Sequence, residues 1–192
     1  AIFGLSWPKS MRWGESKLRW VRPLKSILCI LSDENGAETI PIDIDGIISS
    51  NTTTGHRFMS PSEFTVNSFE EYEKILRKNF TILGPQERRE IIFSDSNNLA
   101  FSQGLEVVND SELLEEVCGL AEWPVVLMGS VAKKYQTLPN EILQTSMKKH
   151  QKFFSVKNIK TNKIEKFITV ANIEAPDACL LYTSPSPRDG LL

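Results

Sequence analysis

The sequence predicts an α+β fold, a mixed sheet with packed helices, on three observations. Apolar runs of strand length such as LKSILCIL, WPVVLMGSV and KFITVANI are interspersed with stretches of helical period such as SFEEYEKILRKN and ELLEEVCGLAE. The two kinds do not alternate regularly, which disfavours a doubly wound parallel sheet. A hydrophobic content of 41% over 192 residues is enough for a buried core.

The elements follow in chain order. Apolar residues in LKSILCIL (24–31) and ETIPIDI (38–44) flank SDENGA, whose Asn35-Gly36 is a turn signal, so the pair predicts a β-hairpin. SFEEYEKILRKN (68–79) starts with Ser68 and Glu71 at capping-box spacing and puts Phe69, Tyr72, Ile75 and Leu76 on one helical face. FTIL (80–83) predicts a short strand. Pro85 then fits the first turn of a helix over QERREIIF, which SDSNN (94–98) is expected to weaken. Gly104 ends that region before the strand-like LEVV. Asp110 or Ser111 caps ELLEEVCGLAE, where Leu113, Leu114, Val117, Leu120 and Ala121 form an apolar stripe. WPVVLMGSV (123–131) predicts a strand in a sheet buried on both faces. Pro139 opens a helix through NEILQTSMKKH, and KFFSV and KFITVANI predict two strands around NIKTNK.

The formal net charge of −2 conceals segregation. Residues 7–25 carry six Lys or Arg against Glu15 alone, residues 69–122 carry twelve acids against five bases, and residues 133–166 carry nine Lys against Glu141 and Glu165. Local fields rather than the sum attract a polyanion, so the basic stretches are either solvated faces or RNA-facing ones. Cys29, Cys118 and Cys179 are odd in number and far apart, which suits structural thiols in a reducing compartment. No apolar run reaches membrane-span length, and AIFGLSWPKS has neither a basic leader nor a long apolar core, so a cytoplasmic chain with no membrane partner is expected. The tail 179–192, CLLYTSPSPRDGLL, breaks every preceding pattern and reads as a non-native, adapter-derived extension. Residues 1–178 then read as a native fragment truncated at both ends.

The chain has two histidines, His56 in NTTTGHRF and His150 in TSMKKHQKFF. Neither has a Cys or carboxylate at metal-ligand spacing, so no metal site is expected. No nucleophile elbow supports a triad through Ser146 and His150, and no glycine-rich loop cradles a nucleotide, so no catalytic residue is assigned. What remains is an interleaving of hydroxyl, amide, cation and aromatic groups. In TTTGHRF, Gly55 permits a tight backbone, the Thr hydroxyls and His56 can donate hydrogen bonds, and Arg57 can fork onto phosphate or carboxylate; the alternative is that His56 and Arg57 buttress the loop by bonding backbone carbonyls, with Phe58 in the core. In TSMKKHQKFFSV, Lys148, Lys149, His150 and Lys152 are candidate RNA contacts, with one of Phe153 and Phe154 expected in the core. In WPKSMRW, Lys9 and Arg12 lie between Trp7 and Trp13, either as a helix-start cluster or as a cationic-aromatic surface.

Taken together, PKSMRW (8–13), VRPLKSIL (21–28), GHRF (55–58), EEYEKILR (70–77), ERREII (87–92), LLEEVCGLAEWPVVLMG (113–129), TSMKKHQKFFSV (145–156) and FITVANI (167–173) resemble, collinearly, the β subunit of the bacterial tetrameric glycyl-tRNA synthetase. The family pattern has Tyr where Phe153 stands and Pro where Ser155 stands. The resemblance implies the N-terminal part of that subunit, with a fold like the editing-type domain of the phenylalanyl-tRNA synthetase large subunit. It also implies a share in ATP-dependent ligation of glycine to its tRNA, as a tRNA-binding and assembly subunit. ATP and Mg are then expected at the partner α subunit of a hetero-tetramer, with no cofactor on this chain. A stand-alone deacylating module acting through TTTGHRF, and a purely structural interaction domain, are the alternatives.

Overall fold

The computed structural model describes residues 4, 7, 9–15, 17–34 and 36–174, and the chain divides after Asn79 into two compact units. Both the hairpin-turn Asn35 and the expected tail lie outside the described residues.

The first unit is a succession of small ladders ending in a helix. β1 (Met11–Arg12) pairs antiparallel with β2 (Arg19–Trp20). β3 (Ile27–Leu28) runs parallel to a later strand, and the predicted hairpin is the shorter pair β4 (Ile30–Asp33) and β5 (Gly36–Thr39), in which the Asp33 carboxylate accepts from the Gly36 N–H at 3.1 Å. β6 (Asp43–Ile44) turns tightly into β7 (Ile47–Ser50), which is the partner of β3. The Ser49 hydroxyl, buried, donates to the Ile40 carbonyl and accepts from the Ile42 N–H, closing the polar groups that this short sheet leaves open. β8 (Thr52–Thr54) pairs with β9 (Glu63–Thr65), and α1 (Phe69–Lys78) follows. Half of the capping box is present: the Ser68 side chain accepts from the Glu71 N–H, while the Glu71 carboxylate reaches past the cap and accepts from the Asn67 N–H. Leu76 buries while Phe69 stays exposed, so the apolar face is narrower than its sequence pattern.

The second unit packs helices on an antiparallel sheet. FTIL forms no strand: Phe80 has a left-handed φ of 59°, and buried Ile82 anchors the segment by donating its N–H to the Glu122 carbonyl. α2 (Pro85–Phe101) runs straight through the polar stretch expected to weaken it. Ile92, Ser96 and Ala100, each four apart, form its buried stripe, and the Asn97 amide bonds back to the Phe93 carbonyl instead of competing with the helix. Gly104, at φ 67°, follows the helix and leads into β10 (Leu105–Val107). α3 (Ser111–Leu120) has Asp110 as its cap, accepting from the Leu113 N–H at 3.0 Å. β11 (Val125–Ser130), α4 (Asn140–Ser146), a π-helical turn (Met147–Gln151), β12 (Phe154–Asn158) and β13 (Ile164–Ala171) complete the unit.

The expected mixed sheet is the small one of the first unit, where β7 runs parallel to β3 and antiparallel to β6, while the helix-packed sheet of the second unit, in the order β10-β12-β13-β11, is antiparallel throughout and has β10 as one edge. β11 is likewise an edge strand, half-buried, rather than a strand buried on both faces. Ile92, Leu113, Val117, Phe154, Val156 and Ile168 form the main core between α2, α3 and the sheet. Cys118 is buried there and its thiol donates to the Pro85 carbonyl, whereas Cys29 is half-buried. Among the described residues no helix is long and apolar enough to cross a membrane.

Asp110 ties cap and charge together, because Lys148 also donates to it at 3.0 Å. Burial pushes its carboxyl up, but the Leu113 N–H and Lys148 outweigh this and hold it below the ordinary value. Asp110→Ala should lower the stability of this unit by about 1 kcal/mol in chemical denaturation. Asp110→Asn keeps the cap and loses the ion pair. A lowered folded-state pKa contributes stability that is complete above the unfolded value of about 3.9 and lost as pH falls through the folded one. The advantage of Asp110 over Asn should therefore hold at pH 7 and close in acid.

Candidate nucleic-acid interface

The loop between β8 and β9 is fixed to the end of α1 by a set of short contacts around Asn79. A Cβ on Gly55 would lie 2.6 Å from the Asn79 carbonyl oxygen and 2.5 Å from its Cβ, so only glycine allows this approach. The approach lets the His56 N–H donate to the Asn79 carbonyl at 2.9 Å. The Ser60 hydroxyl bonds the Asn79 side-chain oxygen at 2.6 Å, and the Asn79 amide donates to the Ile75 carbonyl at 2.7 Å.

His56 is only 1% exposed, and it organises the loop from inside. Its Nδ1 accepts from the N–H groups of Phe58 (3.3 Å) and Met59 (3.2 Å), and its carbonyl accepts from the Ser60 N–H at 2.9 Å. An accepting Nδ1 puts the proton of the neutral ring on Nε2. The His56 ring therefore buttresses the loop, as one alternative expected, but by accepting from backbone N–H groups rather than by bonding backbone carbonyls. The other half of that alternative is corrected, because Phe58 is 71% exposed rather than in the core. The backbone turned by His56 carries it outward together with exposed Arg57, whose guanidinium carbon lies 5.4 Å from the Phe58 ring centroid. A cation and an aromatic face thus project from a backbone that is already fixed.

Arg12 lies in β1 and Lys9 in a bend two residues before that strand, so the helix-start alternative for WPKSMRW is corrected. Both side chains are exposed, and Arg12 sits opposite Arg19 in the ladder. Trp7 packs edge-on to Trp20 at 5.3 Å, and the Trp13 indole N–H donates to the Trp20 carbonyl. The aromatic residues stabilise the hairpin, and its cations face solvent.

Of the remaining four candidates, Lys148, Lys149 and His150 lie in the π-helical turn of the second unit and Lys152 caps its end. Lys148 reaches Asp110 and Glu112, both at 2.9 Å, and Lys152, at a left-handed φ of 58°, reaches Glu116 at 2.7 Å. The hydrogen bonds that Lys148 donates to Glu112 and then Asp110 hold its ammonium above its ordinary pKa. Two of the lysines thus clamp the turn to acids on and before α3, leaving Lys149 and His150 exposed. The sequence marks the lysine run; it does not mark Asn79, whose partners in the β8–β9 loop are 19 to 24 positions away. Phe154 is buried, as one of the two phenylalanines was expected to be, and half-buried Phe153 stacks on Phe167 at 4.7 Å.

Gly55→Ala should lower stability by about 1–3 kcal/mol, the usual scale for overpacking against backbone, in thermal or denaturant unfolding. It should also raise amide exchange at residues 56–60. A silent Gly55→Ala would show that the loop does not depend on the Asn79 contact.

The family described as glycyl-tRNA synthetase beta subunit matches residues 1–181. The glycine–tRNA ligase beta subunit of Ruegeria sp. (strain TM1040) is 60% identical over 176 residues, 92% of this chain and 26% of its own. Those of Cereibacter sphaeroides (strain ATCC 17029) and Paracoccus denitrificans are 57% identical over 171 residues and 56% over 177, covering 89% and 92% of this chain. The chain spans about a quarter of the length of these curated relatives, 24–26%. With a family match along nearly its whole length and identities above half, the chain belongs to the glycyl-tRNA synthetase beta subunit family.

Proposed function

We propose that this chain is part of a glycine–tRNA ligase and serves there in tRNA binding and assembly, with Arg57 and Phe58 meeting the RNA. Family membership supports the ligase, and the exposed cation-aromatic pair on the His56–Asn79 scaffold supports the RNA contact. An exposed aromatic face stacks on an unpaired base, and an arginine beside it reaches the adjoining phosphate. In this reading the partners are an α subunit, in a hetero-tetramer, and glycine tRNA. ATP and Mg are held by the α subunit, and the assembly works in the cytoplasm. The likeness to the editing-type domain of the phenylalanyl-tRNA synthetase large subunit belongs to the same reading, and the α+β architecture is compatible with it. The exposed lysine and histidine at 149 and 150, with Lys9 and Arg12, are secondary contacts.

The test uses the assembled αβ enzyme. Phe58→Ala should weaken tRNA binding by the value of one stacked base, about 1–3 kcal/mol. Arg57→Gln should flatten the slope of log affinity against log salt by up to ~0.9 for a duplex-like backbone. Glycine-dependent ATP–pyrophosphate exchange should be unchanged in both. Affinity and slope equal to wild type in both variants would overturn the assignment of these residues.

A further inference from the structure

The second unit carries an apolar recess that its own residues line without filling. Tyr135, Leu138, Ile142, Met147, Phe153 and Phe167 border an open cavity of about 440 Å3. Its floor is built rather than incidental. The Phe153 and Phe167 rings stack with planes 6° apart, backed by the buried cluster of Leu143, Met147 and Ile164. Its walls are apolar side chains left in water: Tyr135 is 48% exposed, Leu138 41% and Ile142 55%. Ser130, Ser146 and Gln151, the polar residues that also line it, are exposed. A small-molecule site needs convergent polar groups inside to fix orientation, and this recess has apolar side chains there instead. Its chemistry suits another set of apolar side chains, as exposed apolar patches with polar rims generally do.

Charge adds a direction. Lys133 and Lys134 are exposed beside the Tyr135 end, with the Lys134 ammonium 4.8 Å from the Tyr135 ring centroid, while the acid on the α4 side is Glu141. A segment lying in the groove is therefore favoured if it carries an acid where it meets Tyr135.

The source follows from length and connectivity. The family's chains are about four times as long as the stretch matched here, since that stretch is 26% of the Ruegeria protein. Phe167, on the floor, precedes the end of β13 at Ala171 by four residues, roughly 13 Å at ~3.3 Å per residue. A tethered segment docks at an effective concentration in the millimolar range for short flexible linkers, whereas a separate partner must also overcome lost translational freedom. We propose that this groove seats an amphipathic, acid-bearing segment of the same β-subunit polypeptide, from the part of it outside these 192 residues. The proposal rests on the family membership and not on the RNA contact of Arg57 and Phe58.

The experiment uses the full-length β subunit assembled with α. Tyr135→p-benzoylphenylalanine keeps an aromatic side chain at the groove. After irradiation and digestion, mass spectrometry should identify a cross-link to one peptide of the same β chain outside these 192 residues, with a yield independent of dilution. Mixing isotopically light and heavy β chains should give only same-label products. A cross-link to the α subunit, to a second β chain or to these same 192 residues would overturn the proposal, as would no cross-link. Ile142→Glu gives a second readout. Ile142 faces water when the groove is open, so the charge is tolerated by the unit itself but should expel the docked segment. In the full-length assembly it should speed amide exchange both at 135–147 and in the cross-linked peptide, and exchange that is unchanged in both would likewise overturn it.

Discussion

Asn79 holds the first unit's candidate surface in place. Its side-chain amide donates into the last turn of α1, its side-chain oxygen bonds Ser60, its carbonyl accepts from His56, and its Cβ leaves room for Gly55 and nothing larger. A polar network at low exposure is useful when its members are satisfied, because an unpaired member costs more than a made bond contributes. Here the satisfaction extends to the backbone N–H groups of Phe58 and Met59 through the His56 ring. Ordering a residue's backbone costs about 1–2 kcal/mol, and in this loop that cost is met in folding rather than in binding. Arg57 and Phe58 can thus be exposed and still be positioned.

Electrostatics in the second unit work by mutual compensation. The sequence places acids in one segment and lysines in another, and the fold brings the two together: Lys148 onto Asp110 and Glu112, Lys152 onto Glu116, and Lys157 onto Glu106. Such half-exposed pairs contribute modestly to stability. Their larger consequence is that the lysine run projects a weaker field than its composition suggests. The left-handed Lys152 and the π-helical turn are the geometry that aims Lys148 and Lys152 at their acids, whereas Lys157 lies opposite Glu106 in the β10–β12 ladder.

Much of this architecture was legible from local pattern. The Ser68 and Asp110 caps, the Pro85 helix start, the Gly104 break and the β12–β13 pair all follow from residue chemistry acting over a few positions. The departures have tertiary causes. α2 passes through Ser94–Asn98 because Ser96 and Ala100 bury against the core, and FTIL is anchored to Glu122 instead of pairing. GHRF was recognisable as a tight loop from Gly55, but the division of labour within it was not. That His56 goes inward and Phe58 outward depends on Asn79, 23 residues beyond His56, whose carbonyl takes the His56 N–H. The groove bordered by Ile142 and Tyr135 was likewise hidden, because an exposed apolar residue in sequence looks the same as a core one.

The proposed contact of Arg57 and Phe58 requires a loop that is ordered before any RNA arrives, and residue-resolved amide hydrogen exchange in the RNA-free protein tests this directly. Protection at His56, Phe58, Met59 and Ser60 comparable to that of α1, with little further protection on adding tRNA, is the predicted result. Exchange at the rate of an open chain at these four amides, with protection appearing only when tRNA binds, would contradict it.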